Sequence, residues 1–326
     1  MSYDIITIGS ATVDHFADTD SELIRIDTRS HHEELIAFPL GSKLLINELK
    51  TTVGGGGTNT AVAFAHLGLK TAYLGKLGAD AAGDFVLSLL DEEHIDFIGA
   101  RAGQTGFSVI LDSIMDDRSI LAYKGANDHL QPADIPALDS PWIYLSSMLN
   151  ESWDTVVEVI ASGRFKVAFN PSNYQADQGY QALKRLIDHV DILVLNREEA
   201  CKLLSLDYHE QGSVTELLQA LHKHVPNIVV ITDGPDGAYV YDGTSAFHGK
   251  PRQDLKILET TGAGDAFAAS FTASIIKGCS IEKALNYGMT NAESVLQYKG
   301  AKEKLLYWEE LIAHADENQR DIQRII

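Results

Sequence analysis

Apolar residues along this chain fall into runs of two kinds. Short, nearly continuous runs occur at YDIITIGS (3–10), TAYLGKLG (71–78), WIYLSS (142–147), FKVAFNPS (165–172), DILVLN (191–196) and NIVVITDG (227–234). Runs of that length, closed by turn residues, predict strands buried on both faces. Between them apolar positions recur at helical spacing. TNTAVAFAHLGL (58–69) places Val62, Ala65 and Leu69 on one face with Gly68 near its end, and DFVLSLLDEEH (84–94), 151–162, 177–189, 197–205 and 213–224 read the same way. Short buried strands alternating with helices predict an α/β fold: a mostly parallel sheet covered on both sides.

Two stretches break the rhythm. Residues 15–53 are more polar, with scattered strand-like runs (ELIRID, LIAFPLG, LLINELK), and 105–126 reads as a hairpin around MDDRS. Together they predict a small β-lid on the main body. GAYVYDG and SAFHGK after residue 237 predict a second hairpin, and from 263 the pattern is almost wholly helical. No stretch is rich enough in Pro, Gly or Ser to act as a linker, and no repeat is visible, so residues 1–326 are expected to form one domain.

Charge and composition narrow the chemistry. The formal net charge is −20 with no basic patch, which argues against nucleic acid as a partner. No apolar run approaches the ~20 residues that span a bilayer, and MSYDIITIGS lacks the basic and apolar regions of a signal peptide. The two cysteines, Cys201 and Cys279, are far apart and form no CxxC, so a reducing cytoplasm is the expected setting. The histidine groupings HH (31–32) and HKH (222–224) lack ligand-spaced partners and are expected to be solvated; HExxH and GxSxG are absent.

Four motifs remain. VGGGGTNTAVAFAHLGL strips side chains from a turn so that a ligand can approach the backbone, and sets Asn59 at a helix mouth, either as a cap or as a binder of hydroxyls. It matches neither GxGxxG with its distant acidic partner nor GxxxxGK[ST]. In ETTGAGDAF (259–267) the amides of Gly262, Ala263 and Gly264 lie at a helix start, an arrangement that binds anions. Asp265, in the first turn, is either a helix-terminal carboxylate or a base beside that anion hole. In VLNREEA (194–200) Asn196 and Glu199 share one face; they suit hydrated Mg²⁺ or, equally, a capping box. ITDGPDGAYVY (231–241) is a strand, a turn and a strand.

In this order the motifs resemble the ribokinase-like (PfkB-type) carbohydrate kinase family over nearly the whole chain. The resemblance implies a three-layer sandwich with a β-lid, and an ATP-dependent kinase acting on a hydroxyl of a small sugar. A nucleoside kinase on the same scaffold is the alternative, with an inactive sugar-binding relative as a third reading. It implies Asp265 as catalytic base and Gly262, Ala263 and Gly264 as the hole for the transferring phosphate. Asp14 (in IGSATVD), Thr12, Gly55, Gly56 and Asn59 would bind the acceptor. Asn196, Thr232, Gly234 and Gly237 would line the nucleotide, with Asn196 and Glu199 holding Mg²⁺ through water. Glu259, Thr261 and Gly300 would form a site for a monovalent cation, K⁺. The lid would also build a homodimer. The chain departs from the pattern at Glu259, where the second signature usually opens with Asp, and at Gly56, Thr12 and Ser146 or Ser147 among the acceptor contacts. The Asn usual on the late helix is replaced in register by Met289, with Asn291 two residues off.

Overall fold

The computed structural model describes residues 2–19, 22–27, 32–112, 118–208, 212–225, 227–318 and 320–326. From the N-terminus the chain forms β1 (Ile5–Ile8), β2 (Thr12–Thr19), β3 (Glu22–Asp27), β4 (His32–Ala37), β5 (Ile46–Gly54) and α1 (Gly56–His66). It continues through β6 (Thr71–Leu74), β7 (Lys76–Leu77), α2 (Ala81–Glu92), β8 (Asp96–Phe97), β9 (Ala100–Arg101), β10 (Gly106–Asp112) and β11 (Arg118–Tyr123). Next come β12 (Trp142–Leu145), α3 (Asn150–Ile160), β13 (Lys166–Phe169), α4 (Asn173–Ala176), α5 (Gly179–Ile187), β14 (Ile192–Asn196), α6 (Arg197–Leu203) and α7 (Val214–His222). The last third holds β15 (Ile228–Thr232), β16 (Ala238–Tyr241), β17 (Ala246–Gly249), α8 (Ala263–Ile276), α9 (Ile281–Val295), α10 (Trp308–Glu317) and β18 (Ile322–Arg324).

The main sheet runs β18-β17-β16-β15-β14-β13-β12-β1-β6-β8. Pairing is parallel from β15 to β8 and antiparallel at the β16–β17–β18 edge. Successive side chains point to opposite faces, so a strand covered on both sides must be apolar throughout. Ile5, Tyr144 and Val194 accordingly pack with Phe64, Phe267 and Phe271 of α1 and α8. Their neighbours Ile6, Leu145 and Leu193 pack with Val156, Leu183 and Leu217 of α3, α5 and α7. The result is three layers, helix–sheet–helix.

A second sheet has the order β11-β10-β2-β5. β2 pairs in parallel with β10 and antiparallel with β5, so Asp14 lies between Ser108 and Thr52 on one face. β3 and β4 pair with each other as a separate two-stranded sheet. The turn expected at MDDRS falls largely outside the described residues, as does His31.

Several local readings need correction. The 71–78 run breaks at Gly75, where an added Cβ would lie 2.1 Å from Tyr73 Oη, and β7 leaves the main sheet to pair with β9. The 177–189 helix is present as α5, starting at Gly179, whose φ of +74° suits glycine, and a further short helix, α4, precedes it. The chain after 263 is not all helix: β18 adds an edge strand to β17. His222 and His224 are not simply solvated: His222 Nε2 lies 3.0 Å from Asn227 O, and the His224 ring stacks on Tyr180 at 3.8 Å. Both cysteines are free thiols. Among the described residues no helix is long and apolar enough to cross a membrane.

Candidate active site

In a parallel sheet the strand ends that feed helices gather at one edge, where loops form a crevice. Here Gly9 follows β1, Ser146 follows β12, Gly56 and Gly57 open α1, and Asp265 opens α8. The glycines let them meet. A Cβ on Gly9 would sit 1.8 Å from Ser146 Oγ, and one on Gly57 would lie 2.7 Å from the Gly9 carbonyl carbon. A Cβ on Gly56 would be 3.0 Å from Ser146 Oγ and 3.6 Å from Asp265 Oδ1. Gly55, at φ +95°, turns the chain from β5 into α1 so abruptly that the helix starts one residue later. β5 belongs to the small mixed sheet and pairs there antiparallel to β2, so this strand–turn–helix is not the first βα unit of a dinucleotide fold.

Asn59, buried in the first turn of α1, donates through Nδ2 to Asp265 Oδ2 at 2.8 Å. Its Oδ1 accepts from Lys302 Nζ at 2.5 Å, and the same ammonium donates to Val53 O at 2.6 Å. The Asn59 amide is therefore half committed, with one N–H and one lone pair left for a ligand. Burial pushes the Asp265 carboxyl above its ordinary range, while the Asn59 hydrogen bond and the Lys302 charge pull it back. Burial pushes the Lys302 ammonium down to about 8, opposed by Asp14, Asp265 and Glu93. Burial also raises the Tyr144 phenol, with the Asp265 charge adding to it. Asp14 accepts from Thr12 Oγ1 at 2.8 Å and lies against Gly54, where a Cβ would meet Oδ2 at 1.8 Å. Buried Asn127 fixes the β1–β2 connection, accepting from Ala11 N at 2.9 Å and donating to Ala11 O at 2.8 Å.

At the start of α8 Gly262 is the N-cap, in the left-handed conformation at φ +80°, with a Cβ position only 2.5 Å from Ala301 Cα. Gly264 faces open space. The Ala263 amide closes the turn on Thr260 O at 3.3 Å. Gly300 N donates to Glu259 Oε2 at 2.8 Å, so the extra methylene of Glu259 carries its carboxylate to the neighbouring turn.

Asn196 and Thr232 are register partners at the ends of β14 and β15, on the same edge of the sheet. Asn196 and Glu199 form the capping box: Asn196 Oδ1 accepts from Glu199 N at 2.8 Å, and Glu199 Oε2 from Asn196 N at 2.9 Å. Burial lifts the Glu199 carboxyl to about 7, against the lowering effect of the Asn196 amide. Among the described residues no cluster of three His, Cys, Asp or Glu side chains is placed to hold a metal directly. One oxygen of each capping-box side chain is turned onto backbone, which fits contact with a hydrated ion and not a closed inner-sphere site. The 232–237 turn is closed by Asp233 N to Gly237 O at 2.8 Å and tied to α6 by Arg197 Nη1 to Asp233 Oδ2 at 2.9 Å. Gly234 has open space about it, while Gly237, at φ +91°, abuts Gly249 O.

The structure thus joins Gly56, Asn59 and Asp265 as direct neighbours, sets Thr12 and Asp14 against Gly54 just before them, and places Asn196, Glu199 and the 232–237 turn at the ends of β14 and β15. Lys302 is absent from the sequence reading. In YKGAKEK it is one lysine among three, and only its tertiary placement distinguishes it.

Carboxyl ends of parallel strands and a partly buried carboxylate at a glycine-rich helix start make an arrangement that can receive an anionic ligand. The model of the pfkB family carbohydrate kinases matches residues 5–306, and the chain belongs to that family. It is 29% identical over 256 residues to an uncharacterized sugar kinase of Archaeoglobus fulgidus, covering 75% of this chain and 98% of the relative. It is 25% identical over 340 residues to a 5-dehydro-2-deoxygluconokinase of Halalkalibacterium halodurans, covering 97% and 96%. Among solved structures, the ribokinase of Thermotoga maritima superposes with a TM-score of 0.81 at 21% identity, covering 96% of this chain and 99% of that one. The nucleoside kinase of Methanocaldococcus jannaschii gives 0.78 at 19%, covering 98% and 100%. The fold is ribokinase-like, and the protein is a kinase of the sugar and nucleoside class, a phosphotransferase with an alcohol acceptor.

Proposed function

We propose that the protein transfers the γ-phosphate of ATP to a hydroxyl of a small sugar, with Asp265 as general base. The observation that carries this is the placement of partly buried Asp265 in the first turn of α8, one oxygen held by Asn59 and the other beside Gly56. Asp265 takes the proton of the acceptor hydroxyl as its oxygen bonds to the γ-phosphorus, and the bond from that phosphorus to the bridging oxygen breaks to release ADP. The helix start at Gly262–Gly264 favours the anionic phosphoryl group through its amides and the positive end of the α8 dipole. Asp14, Thr12, Gly55, Gly56 and the free half of the Asn59 amide bind and orient the acceptor.

Thr232, Gly234 and Gly237 line the nucleotide, which arrives as its Mg²⁺ complex; Asn196 and Glu199 meet the ion through its water shell. Glu259, held by the Gly300 amide, ties the turn before α8 to the turn after α9, and with Gly300 and Thr261 marks where a monovalent cation would act. The described strands of 15–53 and 105–126, among them β2, β5, β10 and β11, form a lid that excludes water from the transfer. Its exposed Leu49, Phe107, Leu121 and Tyr123 support a homodimer formed through it.

The acceptor is a sugar or sugar acid in this reading, as the name of the 5-dehydro-2-deoxygluconokinase suggests. The test is ADP release from MgATP with a panel containing ribose, 5-dehydro-2-deoxygluconate and adenosine, each with K⁺ or choline. Turnover of adenosine alone would move the protein to the nucleoside kinases. No turnover with any member, despite acceptor binding by calorimetry, would favour a sugar-binding role.

A further inference from the structure

Lys302 follows Gly300 and Ala301 in the segment between α9 and α10, far in sequence from the residues it touches. Its Nζ donates to Asn59 Oδ1 at 2.5 Å and Val53 O at 2.6 Å, and Asn59 Nδ2 donates to Asp265 Oδ2 at 2.8 Å. An ammonium only donates, a carboxylate only accepts, and a side-chain amide has one end of each kind. Between Lys302 and Asp265 the Asn59 amide therefore has one acceptable orientation. Reversed, it would set N–H against ammonium and carbonyl against carboxylate, two repulsive contacts in a buried place.

We propose that Lys302 is a positioning residue for the phosphoryl transfer: it locks the Asn59 amide so that its N–H grips Asp265 Oδ2, leaving Oδ1 on the Gly56 side to receive the acceptor proton. The inference rests on the reading of Asp265 as the base. Val53 extends the chain of contacts, because its carbonyl is the last acceptor before Gly54 and Gly55 turn β5 into α1. Lys302 is thus held from the small sheet on one side and holds the helix α1 amide on the other.

A double-mutant cycle in the full-length protein, with the acceptor the wild type turns over, tests this. Lys302→Met keeps most of the stem and removes the ammonium. It is expected to lower kcat about tenfold or more, the loss associated with a hydrogen bond to a charged group, while the KM for ATP stays within about twofold. Because Lys302 acts through Asn59, the Lys302→Met/Asn59→Ala double variant is expected to be no slower than Asn59→Ala alone. Lys302→Arg, which restores donors, recovers part of the loss. Should Lys302→Met fail to fold by circular dichroism, Asn59→Asp replaces it: it still accepts from Lys302 but cannot donate to Asp265, and its kcat is expected to fall as far as that of Asn59→Ala. Wild-type kcat in Lys302→Met or Asn59→Asp, or losses that multiply in the double variant, would overturn the proposal. Asp265→Asn is the control: if it keeps wild-type turnover, the base assignment fails whatever Lys302 does, whereas an inactive Asp265→Asn with unaffected Lys302 variants removes only the positioning role.

Discussion

Asp265 sits where two opposing effects meet. Burial favours the neutral acid, while Asn59 and Lys302 favour the carboxylate that can accept a proton. Replacing it with Asn keeps shape and hydrogen bonding but removes the base, so Asp265→Asn is expected to lower kcat by about 10²–10⁴-fold in the ADP-release assay. Glu199 invites a different measurement. Its folded pKa, about 7, lies above the ordinary carboxylate value because of burial. A raised pKa means the folded state binds the proton more tightly. The stability this group contributes is complete below its unfolded value and is lost as pH rises through the folded one, between about 4.5 and 7. Glu199→Gln retains an acceptor for the Asn196 amide and carries no buried charge. The difference in Tm, variant minus wild type, is therefore expected to grow more positive from pH 5 to pH 8 in paired thermal melts.

At the level of elements, the segment leading into β18 is tied to α9 by a buried ion pair, and the segment before α8 joins it through a backbone amide. Arg320 Nη1 and Nη2 reach Glu293 Oε1 and Oε2 at 2.6 and 2.7 Å, with side chains 2% and 8% exposed, and Arg252 N also donates to Glu293. Arg320→Met leaves Glu293 buried without its cation and is expected to cost about 3–5 kcal/mol in chemical denaturation. Elements such as this one mark where sequence reading ends. β1, β12, β14 and β15 were legible because covering on both faces demands unbroken apolar runs, and α1 and α8 because a glycine turn precedes a helical stripe. β18 reads Ile-Gln-Arg, an edge strand with no apolar signal, and β7 is cut from β6 at Gly75, a crowded position with no room for a side chain, which only the folded chain reveals. The parallel pairing of β2 with β10 spans most of the N-terminal third and has no local signature. The residues of the crevice divide likewise. Asp265, Asn59 and Asp14 stood in motifs, whereas Lys302 acquires meaning only from the two chain segments that fold against it.

Across the molecule, the small sheet exposes several large apolar side chains. Register places Leu49, Phe107, Leu121 and Tyr123 on one face, and the Phe107 and Tyr123 rings meet at a tilt of 41° with centroids 5.4 Å apart. An exposed apolar face of this kind is characteristic of a protein interface. The double variant Leu49→Glu/Leu121→Glu is expected to sediment as a monomer where the parent chain sediments as a dimer, with equilibrium ultracentrifugation over a range of concentrations as the measurement. The run from β5 through Gly55 into α1 has a consequence for the order of events in a catalytic cycle. The Val53 carbonyl, the Lys302 ammonium, the Asn59 amide and the Asp265 carboxylate form one line of donors and acceptors that starts in the proposed lid and ends at the reacting centre. A displaced β5 takes the first member of that line with it. Were the proposed lid to open, base and cover would be set together, and an idle enzyme with its cover ajar would have no aligned base with which to squander nucleotide on water.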